Sequence, residues 1–154
     1  MPQPRPPQFA LQASIRTVDS QGMARRTRPR RVLVADDDAD ILKVVAANLK
    51  AEGIVVEAVS NGWEAQARAL STAPDLIILD IGMPGRTGLE VMAALRSKPE
   101  TANIPVVFLT ARSSDADVWE GWKAGAAYYL TKPFDTAQLM HFVNSMLDPK
   151  AHAR

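Results

Sequence analysis

Cysteine is absent from the 154 residues, which excludes disulfides and thiolate metal sites. Histidine is scarce: His141 and His152 alone leave little material for a zinc site or a histidine-based triad. No apolar run approaches the roughly 20 residues that span a bilayer. No basic start leads into an apolar segment of the secretory type. A cytoplasmic protein with no membrane partner is expected. A G-x-x-x-x-G-K-[ST] loop is also missing, which argues against a nucleotide-using kinase; the stretch GMPGRTG is glycine-rich but its first glycine does not directly follow a strand.

What is present suits one ordinary domain. Hydrophobic residues make up 47% of the chain, enough for a single core. The net charge of +1 is unevenly spread: residues 1–31 hold seven arginines against Asp19, leaving the remainder acidic. The same end carries five of the eleven prolines. Residues 1–30 therefore read as a disordered Pro/Arg-rich tail, residues 31–148 as the domain, and residues 149–154 as a short C-terminal tail. The cluster Arg25, Arg26, Arg28, Arg30 and Arg31 is the one place where nucleic acid or an anionic surface could bind. The plainer reading is a solvated tail, or sequence upstream of a start at Met23. The prolines argue against an amphipathic targeting helix.

From Arg31 the hydrophobic period alternates. Val32–Ala35, Ile54–Val59, Leu76–Leu79, Val106–Leu109 and Tyr128–Leu130 are short apolar runs. Between them lie segments with helical spacing: Ile41 to Leu49, Trp63 to Leu70, Leu89 to Leu95, about Asp115–Ala124, and Leu139 to Met146. Thr87 with Glu90, and Asp135 with Gln138, read as capping pairs, and Asn61-Gly62 as a turn. Asp38 and Asp40 read as acids that start a helix. Strands alternating with helices require parallel pairing through crossovers, and all-apolar strands require helices on both faces. The expected fold is α/β: a doubly wound five-stranded parallel sheet of flavodoxin-like order 2-1-3-4-5, with the Glu57 strand at an edge.

In such a sheet all strand C-termini share one edge, and here four of the five end in chemistry. The first ends in Asp36-Asp37, the third in Asp80, the fourth in Thr110 and the fifth in Lys132. The order places these strands side by side at the switch point where open α/β sheets bind ligands. Three carboxylates close together recruit a cation, and a hard all-oxygen set favours Mg²⁺. Thr110 and Lys132 suit an incoming phosphoryl group. Asp80, on the central strand, is the natural nucleophile. Any one of these residues alone could be a cap or a solvated side chain; four strand ends together make that reading weaker.

The segments VLVADDDADI, LIILDIGMPGRTGLE, VVFLTA and AGAAYYLTKPF, in that order, resemble the receiver domain of two-component response regulators, in its single-domain, chemotaxis-regulator-like form, over about Arg31–Leu147. The resemblance implies a signalling domain rather than an enzyme on other substrates, with Asp80 as phosphoacceptor from a phosphohistidine on a sensor histidine kinase or phosphotransfer protein. It implies Mg²⁺ held by Asp37, Asp80 and the Gly82 carbonyl with help from Asp36. It implies phosphoryl oxygens held by Thr110, the Ala111 amide and Lys132, and a cis bond before Pro133. Thr110 and Tyr129 would form the switch. The output face would comprise Val118, Trp122 and Tyr129, with Trp119 further inward, and would meet a downstream protein target or a second copy. Two features depart from the family: Ala127 and Tyr128 stand where an acidic pair is common, and Gly82 offers no side chain to shield an acyl phosphate. A dehalogenase-like phosphatase shares the Asp, Thr and Lys, but that family puts its nucleophile first, in an Asp-x-Asp pair. The stretch after Leu147 is too short for a helix-turn-helix, so nucleic acid is expected only at the arginine tail.

Overall fold

The computed structural model describes residues 16–18, 24–26, 28–111, 123 and 125–148. Two three-residue strands, β1 (Arg16–Val18) and β2 (Ala24–Arg26), pair antiparallel with Thr17 opposite Arg25. This hairpin departs from the unstructured tail expected for residues 1–30. Prolines occur before and after it but not within it, so the backbone can pair there.

The remaining strands form one parallel sheet: β3 (Arg31–Ala35), β4 (Val55–Val59), β5 (Leu76–Asp80), β6 (Val106–Thr110) and β7 (Tyr128–Thr131). Their order is β4-β3-β5-β6-β7, which counted from β3 is 2-1-3-4-5. β5 and β6 are buried at every position, as central parallel strands covered on both faces must be. β4 is an edge, and its Glu57 is met by Arg68 at 2.9 Å.

Four helices are described: α1 (Ala39–Ala51), α2 (Gly62–Thr72), α3 (Gly88–Arg96) and α4 (Thr136–Leu147). The helix expected at about Asp115–Ala124 lies outside the described residues except for Lys123, which is helical. Strand alternation sorts the core into two layers. Leu33, Ile77, Leu79, Val106 and Phe108 pack with Ala65 and Ala69 of α2 and with Val91, Met92 and Leu95 of α3. Val32, Val34, Leu76, Ile78, Val107 and Leu109 pack with Val45 and Leu49 of α1 and with Leu139 and Val143 of α4. Each fully buried aliphatic or phenyl side chain contributes about 1.5–3 kcal/mol of transfer free energy, so these layers dominate stability.

Local chemistry sets the helix starts. The Asp38 carboxylate accepts from the Asp40 and Ile41 amides and caps α1. Thr87 and Glu90 form a reciprocal capping box on α3, with bonds of 3.1 and 2.9 Å. Asp135 caps α4 by accepting from the Ala137 amide at 2.8 Å. Asn61-Gly62 proves to be a helix start rather than a turn. Asn61 accepts from the Glu64 amide at 2.9 Å, and Gly62 is the first residue of α2. The same short polar side chain serves turns and N-caps, so the dipeptide alone does not separate them.

Arg28, three residues before β3, also contacts the domain. The Arg28 guanidinium lies 3.2 Å from the Asp75 carboxylate, which also accepts from the Arg31 amide at 2.8 Å. Asp75 in turn donates its amide to the Arg31 carbonyl. Arg28 is thus fastened to the loop that enters the central strand.

Candidate functional site

Parallel register assembles the acids. Ala35 is level with Leu79, so Asp36 and Asp80, one residue on, emerge side by side from adjacent strands. Asp37 follows at the rim and is exposed, whereas Asp36 is fully buried and Asp80 nearly so. Oxygens of Asp36, Asp37 and Asp80 lie within 4.8 Å of one another. On the other side of β5, Asp80 is level with Leu109, so Thr110 closes the edge one residue beyond. The Lys132 amide donates to the Thr110 carbonyl at 2.7 Å, which fixes the lysine at the end of β7. The Lys132–Pro133 peptide is cis.

Lys132 Nζ sits 2.8 Å from Asp36 Oδ2 and 3.6 Å from Asp80 Oδ2. Burial lowers its pKa, but contact with Asp36 and the charges of Asp80 and Asp36 outweigh that, and the ammonium is held above the usual lysine range. Asp80 is pushed the other way, up to about 6. Burial is the main cause and the Asp36 charge the next; Lys132 and the Gly82 amide, which donates to Asp80 Oδ1 at 3.3 Å, oppose it. At neutral pH Asp80 is still mostly ionised, the form a nucleophile needs.

Asp37, Asp80, Gly82, Thr110, Ala111 and Lys132 line one open pocket of about 240 Å³. That is room for a phosphoryl group and several waters. The acid cluster also fits a hard divalent cation. Its donors are all oxygen, and Lys132 is the one cation shown against the buried Asp36 and Asp80 carboxylates among the described residues. Tyr129 is half-buried and packs edge-on to Phe108, ring centroids 6.2 Å apart. Val118, Trp119 and Trp122 lie outside the described residues.

Three features of the site had no counterpart in the sequence reading. The first is Gly88. A Cβ there would strike the Asp80 carbonyl oxygen and come within 2.8 Å of Ile81 Cα, and its amide donates to the Ile81 carbonyl at 2.8 Å. Glycine at the first position of α3 therefore lets the helix close directly behind the strand end that carries Asp80. A glycine there is a poor helix former, and that cost was the available signal. The second is Trp63 of α2, whose ring is covered by the Arg86 guanidinium at 4.6 Å from the centroid. The third is Arg96, half-buried at the end of α3 and donating to the Ile104 carbonyl at 2.9 Å and the Gly125 carbonyl at 3.4 Å. Its partial burial pulls the guanidinium pKa down.

Comparison with known proteins agrees with this geometry. Residues 32–144 match the family described as response regulator receiver domain. The phosphate regulon transcriptional regulatory protein PhoB of Rhizobium meliloti is 38% identical over 117 residues, 76% of this chain and 52% of that protein. The transcriptional regulatory protein PrrA of Mycobacterium leprae is 44% identical over 117 residues, 76% of this chain and 49% of that protein. The chain thus spans about half the length of the curated relatives it matches. The solved structure of the chemotaxis response regulator CheY4 of Vibrio cholerae has a TM-score of 0.72 at 34% identity, covering 77% of this chain and 99% of that one. A Francisella response regulator receiver domain has a TM-score of 0.71, also at 34% identity, covering 76% and 95%. Among the described residues no helix is long and apolar enough to cross a membrane. Sheet order, site and similarity over most of the chain agree: it belongs to the response regulator receiver domain family.

Proposed function

We propose that Asp80 accepts a phosphoryl group from a phosphohistidine on a sensor histidine kinase or phosphotransfer protein, in a Mg²⁺-dependent reaction, and that this switches a protein-interaction face. Phosphoacceptance, magnesium binding at an acidic pocket, and interaction with such kinases or phosphotransfer proteins are general to receiver domains, which are signalling domains. The observation that carries the reading is the pocket itself: a nearly buried carboxylate between an acid pair and a lysine, open to solvent on the side a phosphodonor must use.

In this reading an Asp80 carboxylate oxygen attacks phosphorus, a P–O bond forms, the P–N bond breaks, and the leaving imidazole nitrogen keeps the electron pair. Asp36, Asp37, Asp80 and the Gly82 carbonyl would hold Mg²⁺, which offsets the charge of the transferred group when bound. Thr110, the Ala111 amide and Lys132 supply donors to the phosphoryl oxygens. Lys132 already bridges the two buried acids and has only to turn from Asp80 to the group Asp80 acquires. The added charge draws the Thr110 hydroxyl in, and Tyr129 turns into the space it leaves. The output face, Val118, Trp122 and Tyr129, then meets a downstream protein or a second copy. A cytoplasmic setting, with nucleic acid contacted at most through the arginine-rich tail, belongs to the same proposal.

The test is phosphate incorporation from a small acyl phosphate with Mg²⁺. Asp80→Asn is expected to take up none. Incorporation by that variant at the wild-type level refutes the assignment.

A further inference from the structure

The loop between Asp80 and α3 carries Gly82 into the pocket, and it is fastened to α2 at three points. The Gly62 amide donates to the Pro84 carbonyl at 3.3 Å. The backbone at Arg86 lies so close to Gly62 that a Cβ on the glycine would strike the Arg86 carbonyl and come within 2.7 Å of Arg86 Cβ. Gly85, at φ +82°, passes so close to Trp63 that a side chain would come within 2.9 Å of the indole. Over these backbone contacts the Arg86 guanidinium covers the Trp63 ring, although Trp63 is 56% exposed and so not held by the core. Arg86 Nε is buried without a hydrogen-bond partner, so stacking rather than that donor's pairing holds the side chain there. Gln66, one turn beyond Gly62 on the same helical face, also keeps a buried side-chain oxygen without a partner.

We infer that Trp63 and Arg86 are positioning residues: their stacking clamps the Asp80–α3 loop against α2 and so sets Gly82 at the mouth of the acid pocket for the cation. The inference rests on the reading given under Proposed function. The other end of the same loop is anchored by Met83, which is buried in the α2–α3 core layer, and by the Gly88 amide on Ile81. Between these anchors the Trp63–Arg86 stack joins the loop to α2 through side chains. Without it the loop keeps its backbone bonds but loses the contact that selects one arrangement of Gly82. Cation affinity then falls, while the nucleophile and its neighbours stay intact.

The experiment uses the full chain and two readouts: Mg²⁺ binding by calorimetry, and the Mg²⁺ dependence of phosphate uptake from a small acyl phosphate. Trp63→Ala and Arg86→Gln are expected to raise the Mg²⁺ dissociation constant and the half-saturating Mg²⁺ concentration together, by about 2- to 5-fold, the range a partly exposed cation–π contact supports. Uptake at saturating Mg²⁺ and the thermal midpoint stay at wild-type values. Trp63→Phe and Arg86→Lys, which keep a ring and a cation, fall between. Unchanged Mg²⁺ affinity in Trp63→Ala and Arg86→Gln overturns the inference. So does a lowered thermal midpoint with maximal uptake lost, which marks a merely structural contact. A wild-type protein that binds Mg²⁺ but takes up no phosphate refutes the functional reading instead, and the calorimetric series still decides the clamp. Absence of Mg²⁺ binding by the wild type overturns both.

Discussion

The Lys132 ammonium lies 0.8 Å closer to Asp36 than to Asp80, at 2.8 against 3.6 Å. One cation therefore serves two buried acids unequally. Burial first, and the Asp36 charge second, raise the carboxyl of Asp80, the strand-end acid in the pocket, to about 6, and the more distant Lys132 offsets only part of that.

The rate of phosphorylation should follow the ionisation of Asp80. Attack needs the carboxylate, so uptake from a small acyl phosphate rises with pH and levels off above the Asp80 pKa. A bound cation favours the ionised form, so the half-point lies at or below about 6 and moves down as Mg²⁺ increases. A pH–rate profile at low and high Mg²⁺ checks both statements; a half-point above 7 contradicts them.

Stability of the metal-free protein should respond in the opposite sense. A carboxyl raised on folding from 3.8 to about 6 stabilises the fold fully below 3.8, and that contribution is lost as pH rises through 6. The loss is about 3 kcal/mol for this shift. Asp80→Asn lacks the titration. Its urea-unfolding free energy minus that of the wild type is expected to grow by about this amount between pH 4 and 7. A difference that stays flat across that range contradicts the assignment of the raised group.

Gly88→Ala should destabilise the domain despite alanine's better helix propensity. The added methyl meets the backbone of Asp80 and Ile81, which cannot rotate away. Overpacking of this kind costs about 1–3 kcal/mol, more than the roughly 1 kcal/mol that replacing a helical glycine gains. Thermal denaturation reads the sign. Phosphate uptake by the folded variant should also slow, because the strand end must shift.

Truncation separates the tail from the domain. Removing residues 1–27 should leave stability within about 0.5 kcal/mol. Removing residues 1–29 also takes away Arg28 and its partly buried pair with Asp75, and should cost about 1 kcal/mol. Phosphate uptake is expected in both. Chemical denaturation of the two truncated proteins side by side checks the step between them.

Much of the site was legible without coordinates because it is written in local signals. A five-residue apolar strand that stops on a polar residue shows both its burial and its end, so Asp36, Asp37, Asp80, Thr110 and Lys132 could be named from hydrophobic period alone. The α/β alternation then fixed that their strand ends share an edge, and the Thr87–Glu90 capping box needs only four consecutive residues. Tertiary structure decided what depends on approach between distant segments. Lys132 follows Asp36 by 96 positions, and which acid it favours is a matter of tenths of an ångström in strand packing. Arg28 meets Asp75, and Arg86 meets Trp63, across elements whose separation no period encodes. Asn61-Gly62 carries the chemistry of a turn and of a helix start equally, and only the Arg86 backbone pressed against Gly62 shows why glycine stands there. Local propensity acts over a few residues through backbone sterics and nearest hydrogen bonds; contacts between elements depend on the shape of the whole core, which comes into being only when the chain has packed.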